Sequence, residues 1–281
     1  MKHHYSLHNI DQAHALGFSP DDYSRFKFGD NDVAKAFGHD LAKGFIQNYH
    51  AQLLMEPQIV VVSSPYSFIP TATFALKNYF VSTLNRWLVL QQLPVVQETK
   101  IHRDITYKED YGALSAEERI KLIGNDHFHI DKHFLTNKTI VFLDDIKITG
   151  SHERMILRMA EEYQLDNDLY MLYFAELTNK SIHPKFENFL NYHCIQSIGD
   201  LEDIISSGNF VFNTRVVKFI LNYEPLACAA FLKKQSADFM NQLYDLALGN
   251  GYHTIEAYEQ NLQYIQDHLF SNRHKQFQYG N

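Results

Sequence analysis

The segment Ile140-Val141-Phe142-Leu143-Asp144-Asp145-Ile146-Lys147-Ile148-Thr149-Gly150-Ser151-His152 brings together residue types that could do chemistry. Apolar residues run into two carboxylates, then a short loop with Thr149, Gly150 and Ser151, and Glu153 begins a helix. A glycine lets backbone approach an anion, and the N-terminus of the following helix offers unpaired amides and a positive dipole end. That arrangement suits a phosphate. The two carboxylates just before it can accept hydrogen bonds from a vicinal diol or help hold Mg²⁺. Together they read as a ribose-phosphate clamp. The plainer reading, a solvated turn after a core strand, leaves unexplained the order of strand, acids, Thr-Gly loop and helix.

Other constellations carry less. His127, His129 and His133 occupy positions that could share a strand face and hold a metal, but no carboxylate or cysteine completes the set. With 16 histidines in the chain, such clusters arise by chance. Cys194 and Cys228 lack C-x-x-C spacing and read as buried thiols. Phe212, Arg215 and Tyr223 are candidates for an acceptor pocket, against the plainer reading of tail aromatics as core.

The elements that must position the clamp alternate. Asp32 to about Met55 has apolar residues at helical spacing, and Ile59 to Val62 is a short β-branched strand closed by Ser63-Ser64-Pro65. A long helix follows, through Trp87 and ending before Pro94. Val95 to His102 is expected as a strand, Ser115-Ala116-Glu117-Glu118 as the opening of a helix, and Thr139 to Leu143 as the most strongly buried strand. A helix with Ile156, Met159 and Ala160 comes next, then strands at Leu169 to Ala175 and, more weakly, His193 to Ile198. The fold class expected is α/β, a mostly parallel sheet with helices on both sides. From Arg215 onward only helical patterns occur, with Thr254 as cap of the last, which predicts a C-terminal helical attachment. The first 30 residues read as irregular. The expected division is an N-terminal segment 1–31 forming part of a hood, a core 32–200 and a helical attachment 201–281.

Composition excludes several classes. At 45% apolar and 21% charged residues the chain is an ordinary globular protein rather than a disordered one. A net charge of -8 gives no basic field for nucleic acid. No apolar run approaches the length needed to cross a bilayer and the start lacks a signal-peptide core, so no membrane partner and a cytoplasmic location are expected.

With its four apolar residues, two acids and Thr-Gly loop, the segment Ile140 to His152 resembles the signature of the type I phosphoribosyltransferases. The resemblance implies a Rossmann-like sheet of that family's topology. It implies that Asp144 and Asp145 bind the ribose hydroxyls of phosphoribosyl pyrophosphate (PRPP) and Mg²⁺, while Ile148, Thr149, Gly150, Ser151 and His152 bind its 5-phosphate. Three positions depart from the pattern: Lys147 replaces an aliphatic residue, Ile148 a Thr or Asp, and His152 a Ser or Thr. The change at Ile148 disfavours the 6-oxopurine salvage branch. Arg103, Thr106, Glu118-Arg119, Asn125 and Phe128 fall in the order seen in phosphoribosyltransferase-like competence proteins, where the family has a mobile loop over pyrophosphate. Arg103 and Lys108 are the candidates for pyrophosphate contacts there. Ser63 and Ser64 resemble the family's pyrophosphate loop by position but lack a basic neighbour. Tyr23-Ser24-Arg25-Phe26-Lys27-Phe28-Gly29-Asp30 resembles bacterial phosphoribosyltransferase-like proteins of tellurite-resistance gene clusters.

The function implied is Mg²⁺-dependent transfer of a phosphoribosyl group from PRPP to a nitrogen nucleophile with release of pyrophosphate. The alternative is a non-catalytic PRPP or nucleotide sensor on the same fold, and a third reading is a scaffold without ligand. Expected partners are PRPP or another ribose 5-phosphate ligand and a nucleobase-like acceptor, with a homodimer left open.

Overall fold

The computed structural model describes residues 1–103 and 128–278 of the 281. Among the described residues, β1 (Lys2–Ile10), β2 (Ile59–Ser63), β3 (Gln97–Glu98), β6 (Thr139–Lys147) and β7 (Leu169–Leu177) form one sheet in the order β1-β7-β6-β2-β3, every pair parallel. β4 (His102–Arg103) and β5 (Phe128–His129) make a separate antiparallel pair. β6 takes the centre because Ile140 to Leu143 are apolar at every position and buried on both faces. Each fully buried side chain of this size contributes roughly 1.5 to 3 kcal/mol.

Side chains alternate across the pleat. Val61, Val141, Leu143 and Tyr170 pack on one side with α1 (Pro20–Lys27), α2 (Asn31–Leu53) and α3 (Ala72–Leu90). Val60, Val62, Ile140 and Phe142 pack on the other, against Met155, Ile156 and Met159 of the helix Ser151–Glu162. β2 and β6 are neighbours, yet the chain leaves β2 for the first side and β6 for the second. Their following loops therefore diverge and open a crevice beyond the strand ends, the usual place for a ligand in such sheets. The tail helices Thr214–Leu221, Pro225–Leu232, Ala237–Gly249 and Glu259–Gln278 surround a second apolar cluster, which Phe28 and Ile69 join from outside the tail.

Several expectations need correction. Residues 2–10 are not irregular but form β1, the edge strand beside β7. Because β1 holds that edge, His193 to Ile198 forms no strand; His193 Nδ1 instead bonds Asp21 Oδ1 at 2.7 Å. Val95 to His102 supplies only the two residues of β3 to the sheet. Its remaining groups are diverted to side chains, with the Val96 N–H donated to Asn85 Oδ1 at 2.7 Å and the Val95 carbonyl accepting from Gln58 at 2.8 Å. Thr254 sits in a 3₁₀ turn and donates to the Gly251 carbonyl, so it does not cap the last helix, which starts at Glu259. The helix expected from Ser115 lies outside the described residues. Among the described residues, no helix is long and apolar enough to cross a membrane.

Candidate functional site

β6 does not end at Leu143 but continues through Lys147, so the alternation of the pleat carries into the acid pair and separates it. Asp145 falls on the α1 side and is 5% exposed. The Tyr23 hydroxyl donates to its Oδ2 at 2.7 Å, the Lys27 ammonium pairs with the same oxygen, and the Thr73 hydroxyl donates to Oδ1 at 3.1 Å. Burial pushes this carboxyl up, but the Lys27 charge and the hydrogen bonds from Lys27 and Tyr23 outweigh it and hold the group well below the usual carboxylate range. Both oxygens of Asp145 are thus engaged within the protein, by Tyr23, Lys27 and Thr73.

Asp144 lies on the other side, at the crevice. Its Oδ1 accepts from Ser64 Oγ at 2.9 Å, from the Asp145 N–H at 3.0 Å and from Thr73 Oγ1 at 3.4 Å. Its Oδ2 faces His152 Nδ1 at 3.0 Å. His152 therefore turns toward the acid. Thr73, in the first turn of α3, reaches both acids from one hydroxyl and ties α3 to the end of β6.

The loop after β6 turns at Gly150 into a helix, in the order the sequence predicts. Gly150 stands at φ 69°, a conformation that side chains disfavour, and precedes Ser151–Glu162. Among the described residues no side chain caps that helix, and its first amides have no acceptor within the helix. The Thr149 and Ser151 hydroxyls lie 2.7 Å apart. Arg154 wraps over the loop, donating to the Thr149 carbonyl at 2.9 Å and to Ser151 Oγ at 3.0 Å. Ile148 packs against the core instead of facing the loop. Lys147 pairs with Glu153 at 2.9 Å and Glu176 at 3.0 Å, so this departure from the family pattern serves an ion network beneath the loop. His4 joins it: hydrogen bonds to Glu153 and then Glu176 raise its pKa to about 9. Burial would raise Glu153, but His4, Lys147 and Tyr173 hold it at about 2.

Across the crevice, Ser63 closes β2, buried, and Ser64 follows. The loop has no basic residue of its own, but Lys100 supplies one: its ammonium reaches the Ser67 carbonyl and lies 4.1 Å from the Tyr66 ring centroid. Burial lowers the pKa of Lys100. A bridge between Tyr66 and His102 brings β4, and with it the backbone of Arg103, alongside this loop. The Arg103 side chain and Lys108 lie outside the described residues. Among the described residues no group of three His, Cys, Asp or Glu side chains could hold a metal, and His127 lies outside them. Of the candidate acceptor residues, Phe212 is buried and borders a cavity, Tyr223 packs on the tail cluster, and the Arg215 guanidinium lies 5.5 Å from the Tyr192 ring centroid. A cavity of about 420 Å³, lined by Phe26, Thr71, Phe74, Tyr79 and Phe212, adjoins the face of α3 opposite Thr73 and holds neither acid.

Sequence reasoning singled out the segment of Tyr23 and Lys27 without placing it at the acid pair, and passed over Thr73, Lys100 and Arg154. Tyr23 and Lys27 left a signal, one helical turn apart after Ser19-Pro20, a capped helix start. Lys100 left none, because only the sheet brings it to the β2 loop.

No curated protein matches the chain. Among solved structures, hypoxanthine phosphoribosyl transferase of Trypanosoma cruzi is 15% identical, with 54% of this chain and 77% of that chain covered, at a TM-score of 0.31. A mutant of that enzyme complexed with the product IMP is 14% identical over 54% and 80% of the two chains, at a TM-score of 0.30. A family model described as PRTase ComF-like matches residues 1–265, nearly the whole chain including β1, the acid pair, the Gly150 loop and most of the tail, and the chain belongs to that family.

Proposed function

We propose that the chain binds PRPP in the crevice between the β2 and β6 loops and transfers its phosphoribosyl group to a nitrogen nucleophile. The observation that carries this reading is the Asp144 carboxylate at the crevice, flanked by Ser64 on one loop and by the uncapped helix at Gly150 on the other. The 5-phosphate lies on the amides of Ile148 to His152, with the Thr149 and Ser151 hydroxyls and the Arg154 guanidinium close by. Asp144 accepts from the ribose diol. Asp145 acts through Thr73 and the backbone, as a positioning residue. Ser63, Ser64 and Lys100 take the pyrophosphate side, with Arg103 and Lys108 on the segment that follows.

In the reaction the bond from ribose C1 to the pyrophosphate oxygen breaks and a C1 to nitrogen bond forms, with the nucleophile's proton lost to solvent. Positive charge develops on the ribose and negative charge on the leaving group, so the protein mainly fixes geometry and neutralises pyrophosphate. Mg²⁺ is a hard cation that takes one or two carboxylates plus substrate oxygens: the Asp144 Oδ2, whose partner is the His152 ring on the crevice side, would hold it once His152 turned away, whereas both Asp145 oxygens are taken by the buried Tyr23, Lys27 and Thr73 side chains. Bound there, Mg²⁺ would neutralise charge on the departing pyrophosphate. The cytoplasm is the compartment we assign, in keeping with two unpaired cysteines, Cys194 and Cys228.

The second reading, a PRPP sensor without turnover, is favoured by one observation: His152 sits on the Asp144 oxygen that a diol would use. Calorimetric titration with PRPP, followed by a pyrophosphate-release assay with Mg²⁺ and a panel of nucleobases, separates the two. Binding with release supports transfer; binding without release for any base supports the sensor. Absence of binding rejects both.

A further inference from the structure

We infer that the helical tail shapes the pyrophosphate-side loop through Asn250, making it a positioning residue for the site. Asn250 follows the helix Ala237–Gly249, and its Oδ1 accepts two successive backbone amides of the β2 to α3 loop, from Phe68 at 3.0 Å and from Ile69 at 3.1 Å. One carbonyl oxygen has two lone pairs, so a single side chain can fix two neighbouring peptide planes. The preceding residue completes the latch. At Gly249 the Phe68 ring lies against bare backbone, and a Cβ there would come within 2.3 Å of it. From the same tail Thr214 donates its hydroxyl to the Ile69 carbonyl at 2.7 Å and its N–H to the Pro70 carbonyl at 2.9 Å. Ile69 itself is buried in the tail's apolar cluster.

The latched residues lie between the two points where this loop touches the acids. Ser64 precedes them and holds Asp144; Thr73 follows them and holds both. A loop pinned at 68–70 has little freedom left to move Ser64, Tyr66 or Thr73 independently. The tail thereby decides where the loop's amides and Lys100 stand relative to a pyrophosphate, without touching ligand itself. This role rests on the PRPP reading above; the latch does not.

The test pairs hydrogen exchange with binding, on the full chain. In Asn250→Ala the Phe68 and Ile69 amides lose their acceptor and are expected to exchange roughly tenfold faster or more, with the core of the sheet unchanged. PRPP affinity is expected to fall roughly tenfold, and ribose 5-phosphate affinity, which touches no amide of residues 66–70 and meets this loop only through Asp144, to stay within about twofold. Gly249→Ala keeps the helix and Asn250 but displaces the Phe68 ring, and is expected to move PRPP in the same direction. Unchanged exchange at Phe68 and Ile69 overturns the latch. Faster exchange with equal losses for both ligands, or with none, overturns the positioning role. If wild-type protein shows the slow amides but no PRPP binding, the proposed function fails while the latch stands.

Discussion

Replacing Lys27 by Met removes one half of an ion pair whose side chains are 12% and 7% exposed for Lys27 and Asp145. Met keeps the length and apolar stem of the side chain, so packing changes little. What remains is a buried carboxylate with the Tyr23 and Thr73 hydroxyls as its partners. Breaking a buried pair from one side costs about 3 to 5 kcal/mol, because the other charge stays desolvated. The two surviving hydrogen bonds place Lys27→Met near the lower figure, about 3 kcal/mol. The sign of the pH effect also reverses. In the wild type the Asp145 pKa is depressed, so its contribution is present above the unfolded value of about 3.9 and is lost as pH falls through the folded one. Without Lys27, burial dominates and the folded pKa rises above the unfolded value, so the variant gains stability as pH falls from neutral. Urea unfolding at pH 7.5 and 5.0 measures both effects. The double variant Lys27→Met with Asp145→Asn is expected to recover most of the loss. A single-variant loss below about 1 kcal/mol, the scale of an exposed pair, would refute the reasoning, as would a double variant no better than the sum.

Asp144→Asn is expected to leave the unfolding curve in place while weakening PRPP by about 1.5 to 3 kcal/mol per charged hydrogen bond lost, read by calorimetry. Unchanged titrations would remove Asp144 from the ligand. Gly150→Ala would make ordinary contacts, with Arg154 and Lys147 atoms 3.5 Å from a Cβ, but on a left-handed backbone; a loss of roughly 1 kcal/mol in stability and weaker 5-phosphate binding are expected, checked by thermal melts and titration. His4 has its folded pKa raised to about 9, so its stabilisation is complete below the unfolded value of about 6.5 and fades as pH rises through 9. Wild type should lose stability over that window and His4→Gln should lose less; parallel melting curves would show the network is not coupled to folding.

What the sequence made legible is the part written in consecutive residues. The run Ile140 to Leu143, Gly150 and the helix after it need only local pattern, and the structure has all three. The fate of the acids was harder to see because a central strand seldom continues through two carboxylates. Here it does, since Lys27 and Tyr23 arrive from α1 to neutralise the one that the pleat turns inward. β1 escaped notice for a different reason. Its residues are mostly His, Tyr, Ser and Asn, half-covered on an edge, and Ile10 alone is fully buried, so no apolar alternation marks it. Lys100 and Asn250 reach the β2 loop only through tertiary packing, which no spacing encodes.

The placement of β1 beside β7 has a consequence for how the chain comes to be folded. A strand near the start pairs, residue for residue, with one that begins at Leu169, and the Met1 amino group meets Asp168 across 167 positions. During synthesis at roughly 5 to 20 residues per second, β1 is made some 8 to 33 s before its partner exists. Until then it is an unpaired ribbon, and its low apolar content becomes an asset, because a greasier strand would invite pairing with other nascent chains. The histidines and Lys2 that leave it without an apolar pattern also make it a poor template for other chains while it is unpaired.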